Sequence, residues 1–177
     1  ALGITNPAEL ATALDQLLPA ARELDGRILV QEMVSGVREL AIGMIRDEQL
    51  GPCVMFGLGG IFAEALADVA FRMAPLTDTD VIEMSSEIKG SRLLEGIRGL
   101  EPVDMKALGH CLQALGKIGR DNPEIKELDV NPLLIRNGLP VAVDALAVLE
   151  KPSRPEQPTI SPTVGLRHFF EPQKVAV

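Results

Sequence analysis

Residues 125–148 read IKELDVNPLLIRNGLPVAVDALAV, and the Asn137-Gly138 pair inside them decides how the late part of the chain folds. Asn-Gly between two apolar runs is the strongest short hairpin signal, because a type I′ turn needs positive φ at both central positions. Strands are therefore predicted over 125–135 and 139–148. A two-residue turn pairs Arg136 with Leu139. Counting back pairs Ile135 with Pro140, Leu134 with Val141, Leu133 with Ala142, Pro132 with Val143 and Asn131 with Asp144. Directly opposed residues share a face, with Cβ atoms about 4.5–5.5 Å apart. A period of two puts Asp129 on the face of Asn131. An amide oxygen and two carboxylates thus gather on one side, leaving Leu128, Val130 and Val143 for a core. Hard oxygen donors in this number suit Mg2+, which keeps several waters and takes further oxygens from substrate phosphates. The same pattern also describes an ordinary hairpin with one solvated polar face. Pro132 falls at a hydrogen-bonded position and has no N–H to donate, so a bulge there would shift the register.

Upstream, Asn6-Pro7-Ala8-Glu9 is a helix start with Asn6 as N-cap, Pro7 at N1 and Glu9 at N3. Leu10, Leu14, Leu17, Leu18, Ala21 and Leu24 continue at helical spacing until Asp25-Gly26. Residues 27–34 read as a buried strand. Residues 38–46 alternate, with Leu40, Ile42 and Met44 facing one way and Glu39, Ala41 and Gly43 the other. A third strand over 52–56 runs into the glycine loop Gly57-Leu58-Gly59-Gly60, and a fourth covers 68–74. Thr77 or Asp78 caps a short helix carrying Val81, Met84, Ser85 and Ile88, closed by Gly90. A longer helix over 103–120 puts Met105, Leu108, Leu112 and Leu115 on one face. Residues 151–168, with Pro152, Pro155, Pro158 and Pro162 and no periodicity, read as a linker. Helices packed on a largely antiparallel sheet make the fold class α+β, α/β in broad terms.

Composition narrows the function classes. Of the 177 residues 46% are hydrophobic and 24% charged, which is globular usage. A net charge of −8 and only 3% aromatics, without Trp or Tyr, argue against a nucleic-acid partner. An acidic chain still binds nucleotides through backbone N–H groups and Mg2+. No apolar run reaches the ~20 residues of a membrane helix, so no membrane partner is expected. Cys53 and Cys111 have no C-x-x-C context and read as free thiols in a reducing cytoplasm, with a disulfide as the alternative. The chain opens on ALGIT rather than Met, which reads as a fragment.

Other candidates carry two readings each. The 57–60 loop follows an apolar strand and can offer N–H groups to phosphate or be a tight turn; it is neither a Walker A loop nor a GxGxxG. Glu64 beyond it is by default a surface carboxylate. The small residues Ala41 and Gly43 beside Glu39 leave room for a ligand or for close packing. Arg72 in an apolar strand is an ion-pair partner or a phosphate contact. His110 and His168 have no partners at metal-ligand spacing.

At VQEMVSGVRE (30–39), GPCVMFGLGGIFAE (51–64), DVAFRMAPL (68–76) and ELDVNPLL (127–134) the chain resembles one family. It is similar to the ATP-grasp region of ADP-forming acetyl-CoA synthetases, relatives of the succinyl-CoA synthetase β subunit, over about residues 1–150. The resemblance implies an incomplete ATP-grasp fold, lacking the Gly-rich, lysine-bearing segment that precedes this region in relatives. It implies ATP or ADP and Mg2+ as cofactors. Residues matching Gln31, Glu32, Met33 and Val34 would be the adenine hinge, and Glu39 would contact the nucleotide on its ribose side. Residues matching Asn131 and Asp144 would hold Mg2+. Gly59, Gly60 and Glu64 match a loop near the phosphate-transfer site. Asp129 matches a carboxylate, Glu in the succinate enzyme and one methylene longer there, near the phosphohistidine.

The implied reaction is carboxylic acid, CoA and ATP to acyl-CoA, ADP and phosphate, through a phosphohistidine on another domain. The implied partners are the CoA-binding and phosphohistidine-bearing domains, within an oligomer. The ending FFEPQKVAV (169–177) resembles the start of a CoA-binding domain. Two other readings share the nucleotide logic: a nucleotide-sensing module of a protein acetyltransferase, and another ATP-grasp carboxylate ligase. Neither the acyl group nor a preference for ATP over GTP is written in these residues.

Overall fold

The computed structural model describes residues 1–36, 38–60, 68–96 and 99–150. Helix α1 spans Pro7–Glu23, β1 Arg38–Asp47, β2 Gly51–Leu58, β3 Val69–Met73, α2 Asp78–Glu87, a 3-10 turn Ser91–Leu94, α3 Met105–Asp121, β4 Ile125–Arg136, β5 Leu139–Ala142 and β6 Leu146–Leu149. The sheet runs β3-β2-β1-β4-β5, with β6 also paired to β4, and every pair is antiparallel.

The helix starts form as their sequences dictate. Asn6 Oδ1 accepts the Glu9 N–H at 3.0 Å, and the Glu9 carboxylate accepts the Thr5 N–H at 2.7 Å. Thr77 and Asp80 close a reciprocal capping box on α2. Asp104 caps α3 by accepting from the N–H groups of Lys106 and Ala107. One face of the sheet supplies Leu40, Ile42, Met44, Val54, Phe56, Val130, Leu133 and Ile135 to the core. Helices α2 and α3 cover that face with Val81, Met84, Ile88, Leu108, Leu112 and Leu115. Met105, placed on the same helical face by its spacing, lies at the helix start and remains 36% exposed. α3 approaches closely through glycines: a Cβ on Gly119 would come within 2.9–3.0 Å of Pro52 and Met44 side-chain atoms.

Four expectations are corrected. Residues 27–34 are neither a strand nor buried; Leu29 is 80% exposed. A run of β-formers becomes a strand only where a neighbour supplies backbone partners, and β1 is already paired on both sides, to β2 and β4. The apolar stripe of α1 is largely uncovered, Ala13 being its one buried residue. β2 extends through Leu58, so Gly57 is a paired strand residue, opposite Ala41 and Val69, and only Gly59-Gly60 turns. The strand predicted over 139–148 is two, β5 and β6, separated at residues 143–145. The break lies across from Asn131-Pro132, where β4 is irregular: Leu40 pairs with Leu133 but Ile42 with Val130. The expected linker and the stretch 169–177 lie outside the described residues.

Leu112 is fully buried between α3 and the sheet. Leu112→Ala should cost about 2–5 kcal/mol, read as a lower denaturant midpoint with an unchanged slope.

Candidate functional site

The face of the sheet turned away from the helices holds the candidate residues. On β1 this face carries Glu39, Ala41 and Gly43; across the ladders it carries Gly57 and Met55 on β2 and Asp129 and Leu134 on β4. Toward β3 it is apolar and accessible, with Val69, Phe71 and Met73 37–43% exposed.

Glu39, Gly59 and Gly60 meet at one end of this face. The Gly59 N–H donates to the Glu39 carbonyl at 2.8 Å, which turns the chain back over β1. A Cβ on Gly59 would lie 2.9 Å from the Leu40 carbonyl oxygen. Gly60 has φ +60, and a Cβ there would fall 2.5 Å from Glu39 Oε2. Only glycine combines that backbone with a carboxylate laid against it.

Asp129 lies opposite Gly43, and a Cβ on Gly43 would sit 3.7 Å from Asp129 Oδ1. The space above Gly43 is thus bounded by a carboxylate. Burial, then the charges of Glu127 and Asp144, hold the Asp129 carboxyl above its usual range. The charge of Asp144, which lies in the gap between β5 and β6, is the smallest of these causes. The hairpin register holds as counted from Arg136–Leu139 back to Leu133–Ala142. Beyond it the Val143 N–H donates to the Pro132 carbonyl at 3.2 Å, and the ladder resumes with Asp129–Leu146. The counted Asn131–Asp144 pair does not form in the ladder: both are exposed neighbours of the Pro132–Val143 bond, Asn131 in the irregular step of β4 and Asp144 between β5 and β6.

Residues 31–34 run beside this hairpin. Gln31 Nε2 donates to the Val143 carbonyl at 3.2 Å. Glu32 pairs with Arg136 at 2.6 Å, between side chains 70% and 42% exposed. Met33 is exposed and Val34 half-buried. Glu64 lies outside the described residues, as does His168.

Arg72 resolves to the ion-pair reading, on a half-exposed rather than buried site. Its guanidinium bonds Glu87 and reaches Glu83 at 3.2 Å, both on α2, and so faces the helix layer rather than the site. Cys53 and Cys111 are free, with burial raising both thiols above their usual range. His110 is exposed. Three structural residues escaped the sequence reading. Asp68 is buried and accepts the N–H groups of Lys89 and Gly90 at 2.7 and 2.8 Å. Arg38 donates to the carbonyls of Leu93, Glu95 and Glu101. Arg46 donates to the carbonyls of Gly119, Asn122 and Ile125. The signal available was positional: the two arginines bracket one apolar strand.

The donor set passes a simple test for a hard divalent cation. Asp129 is raised first by burial and then by the charges of Glu127 and Asp144, on a face of small residues, and a cation would offset the added charge. Among the described residues no three His, Cys, Asp or Glu side chains form a metal cage. A cation here would lean on water and phosphate oxygens, as Mg2+ does. Concave surface elsewhere, such as the roughly 300 Å3 hollow at the hairpin tip lined by Ser35, Arg38 and Asn137, includes none of Glu39, Asp129, Asn131 or Asp144.

Comparison with known proteins defines the class. The sequence model of the ATP-grasp domain family matches residues 1–149, and this chain belongs to that family. It is 43% identical over 154 residues to the β subunit of acetate–CoA ligase (ADP-forming) I of Pyrococcus furiosus, covering 84% of this chain and 66% of that protein. It is 42% identical to the acetate–CoA ligase (ADP-forming) I of Archaeoglobus fulgidus, covering 80% of this chain and 20% of that protein. The chain thus spans about two thirds of the first relative and a fifth of the second. A solved acetyl-coenzyme A synthetase 1 of Ca. Korarchaeum cryptofilum, in complex with coenzyme A and Mg-AMPPCP, superposes with a TM-score of 0.75 at 41% identity. That match covers 85% of this chain and 67% of that one.

The raised Asp129 carboxyl predicts a pH effect. The folded state holds this proton more tightly than the unfolded state, so ionisation above the carboxylate range weakens the fold. Asp129→Asn should therefore raise the denaturant midpoint at neutral pH, and the gain should fade as pH drops through that range. Equal midpoints for both proteins at neutral pH would contradict the cost of burying this charge beside Glu127 and Asp144.

Proposed function

We propose that this chain is the nucleotide- and Mg2+-binding region of an ADP-forming acyl-CoA synthetase, an acid–thiol ligase. The whole enzyme would convert a carboxylic acid, CoA and ATP to acyl-CoA, ADP and phosphate, passing the phosphoryl group through a histidine on another domain. The observation that carries this reading is the placement on one sheet face of Glu39 against Gly59-Gly60 and of Asp129 opposite Gly43, with the Asp144 charge acting on Asp129 and Gln31 bonded to the neighbouring Val143. The family match and the ligase relatives favour it over a nucleotide sensor or another carboxylate ligase.

In this reading the backbone of Gln31 to Val34 holds the adenine edge and Glu39 the ribose side. The Gly59-Gly60 turn keeps bulk away from the phosphates. Asn131 and Asp144 would hold Mg2+, which would supply charge neutralisation for the phosphates. Asp129, and Glu64 at the far end of the glycine loop, act next to the transferring phosphoryl group. The region's contribution is positioning and charge control rather than covalent chemistry. The histidine and CoA domains lie elsewhere in the protein or in a partner chain, in a cytoplasmic oligomer.

The relatives also bear on the acid. Proteins named for acetate, 4-hydroxybutyrate and trans-ferulate match the same stretch at 43%, 40% and 35% identity. Acids so different in size are best explained by selection outside this region.

Acid- and CoA-dependent formation of ADP from ATP by the full protein is the direct test; formation of AMP would overturn the assignment. On this chain, calorimetry should show that Asp144→Ala and Asn131→Ala each weaken Mg·ADP roughly tenfold or more, about 1.4 kcal/mol.

A further inference from the structure

The ladder between β4 and the last strands is interrupted where Asp144 sits. β5 ends at Ala142 and β6 begins at Leu146, so Asp144 has no strand pairing of its own. Its placement depends on its neighbour Val143, whose N–H donates to the Pro132 carbonyl at 3.2 Å. The carbonyl of Val143 faces the other way and accepts from Gln31 Nε2, also at 3.2 Å. Val143 is thus held from both sides, by β4 and by the segment 31–34. Glu32 adds a second tether to the same hairpin through Arg136. That pair is exposed and worth little in energy, but it stops the segment from sliding along the hairpin.

We propose that Gln31 is a positioning residue for Asp144, and that its side chain couples the nucleotide hinge to cation binding. The proposal rests on the reading of Asn131 and Asp144 as the cation's protein ligands. The backbone of residues 31–34 would meet the base while the Gln31 side chain, leaving that same segment, fixes the peptide that carries Asp144. Ordering the segment on a base would then order the carboxylate. A cation already seated on Asp144 would in turn favour the ordered segment, because coupling between two ligands is reciprocal. A free loop residue beside an acidic neighbour would otherwise have to be ordered when the cation arrives, at the expense of affinity.

The test is calorimetry of ADP binding, with and without Mg2+, on wild type, Gln31→Met, Asp144→Ala and the double variant. Met matches Gln in length and removes the amide donor. Gln31 is exposed, so the variant should fold. The expected result is that Gln31→Met reduces the Mg2+-dependent gain in ADP affinity about tenfold, the usual scale for a residue that orients a metal ligand. The loss of the Mg2+-dependent gain should exceed any loss of metal-free ADP affinity that the hinge position brings. In the Asp144→Ala background Gln31→Met should add nothing, because the residue it positions is gone. A loss in Gln31→Met that is equal with and without Mg2+, or that persists undiminished in the Asp144→Ala background, overturns the positioning role alone. An intact Mg2+ gain in Asp144→Ala overturns the cation reading beneath it.

Discussion

β4 has to present Leu128, Val130, Leu133 and Ile135 to a single core, and no regular strand can do that. Strict alternation puts 128 and 130 on one face and 133 and 135 on the other. The irregular step at Asn131-Pro132 resolves the conflict by absorbing one residue, so that Leu133 faces Leu40 just as Val130 faces Ile42. The arrangement of the site follows from that extra residue. It keeps Asp129 and Leu134 on the face of Glu39 and Gly43. It also interrupts the partner strand, which is why residues 143–145 leave the ladder and Asp144 stands free of it. The pressure to bury apolar side chains thus creates the local disorder of pairing that a ligand site can occupy.

The hairpin was legible because its turn signal is local. Asn137 and Gly138 take positive φ at 52 and 76, and two-residue closure leaves no freedom in the first pairs. Pro132 already marked where the count would fail. The starts of the first two helices were legible for the same reason: Asn6 and Thr77 act on N–H groups three residues away, whereas the Asp104 cap that starts α3 at Met105 rather than 103 was not read. Residues 27–34 were misread because strand formation is not local. RILVQEMV has the composition of a strand, yet whether it becomes one is decided by edges that the string itself does not contain. Asp68 and Arg38 were missed for a related reason, since their partners lie 21 and 55 or more positions away.

Charge limits what the site can accept. The chain carries −8, and the face in question carries Glu39 and Asp129, with the charge of Asp144 acting on Asp129. A bare polyphosphate approaching it would be repelled. The arginines on the sheet strands are committed to the protein itself: Arg38 and Arg46 to backbone carbonyls, Arg136 to Glu32, Arg72 to α2. The Gly59 N–H is likewise committed, to the Glu39 carbonyl, and any free backbone N–H carries partial charge only. A divalent cation changes the sign of the argument. In the proposed reading it would offset the neighbouring charges that add to burial in raising Asp129, and would offer phosphate a partner. In the proposed reading such a face would favour the cation complex of a nucleotide over the bare nucleotide. That selection would need no positive side chain. It is therefore compatible with an acidic protein, where an arginine-rich phosphate site would not be the economical solution.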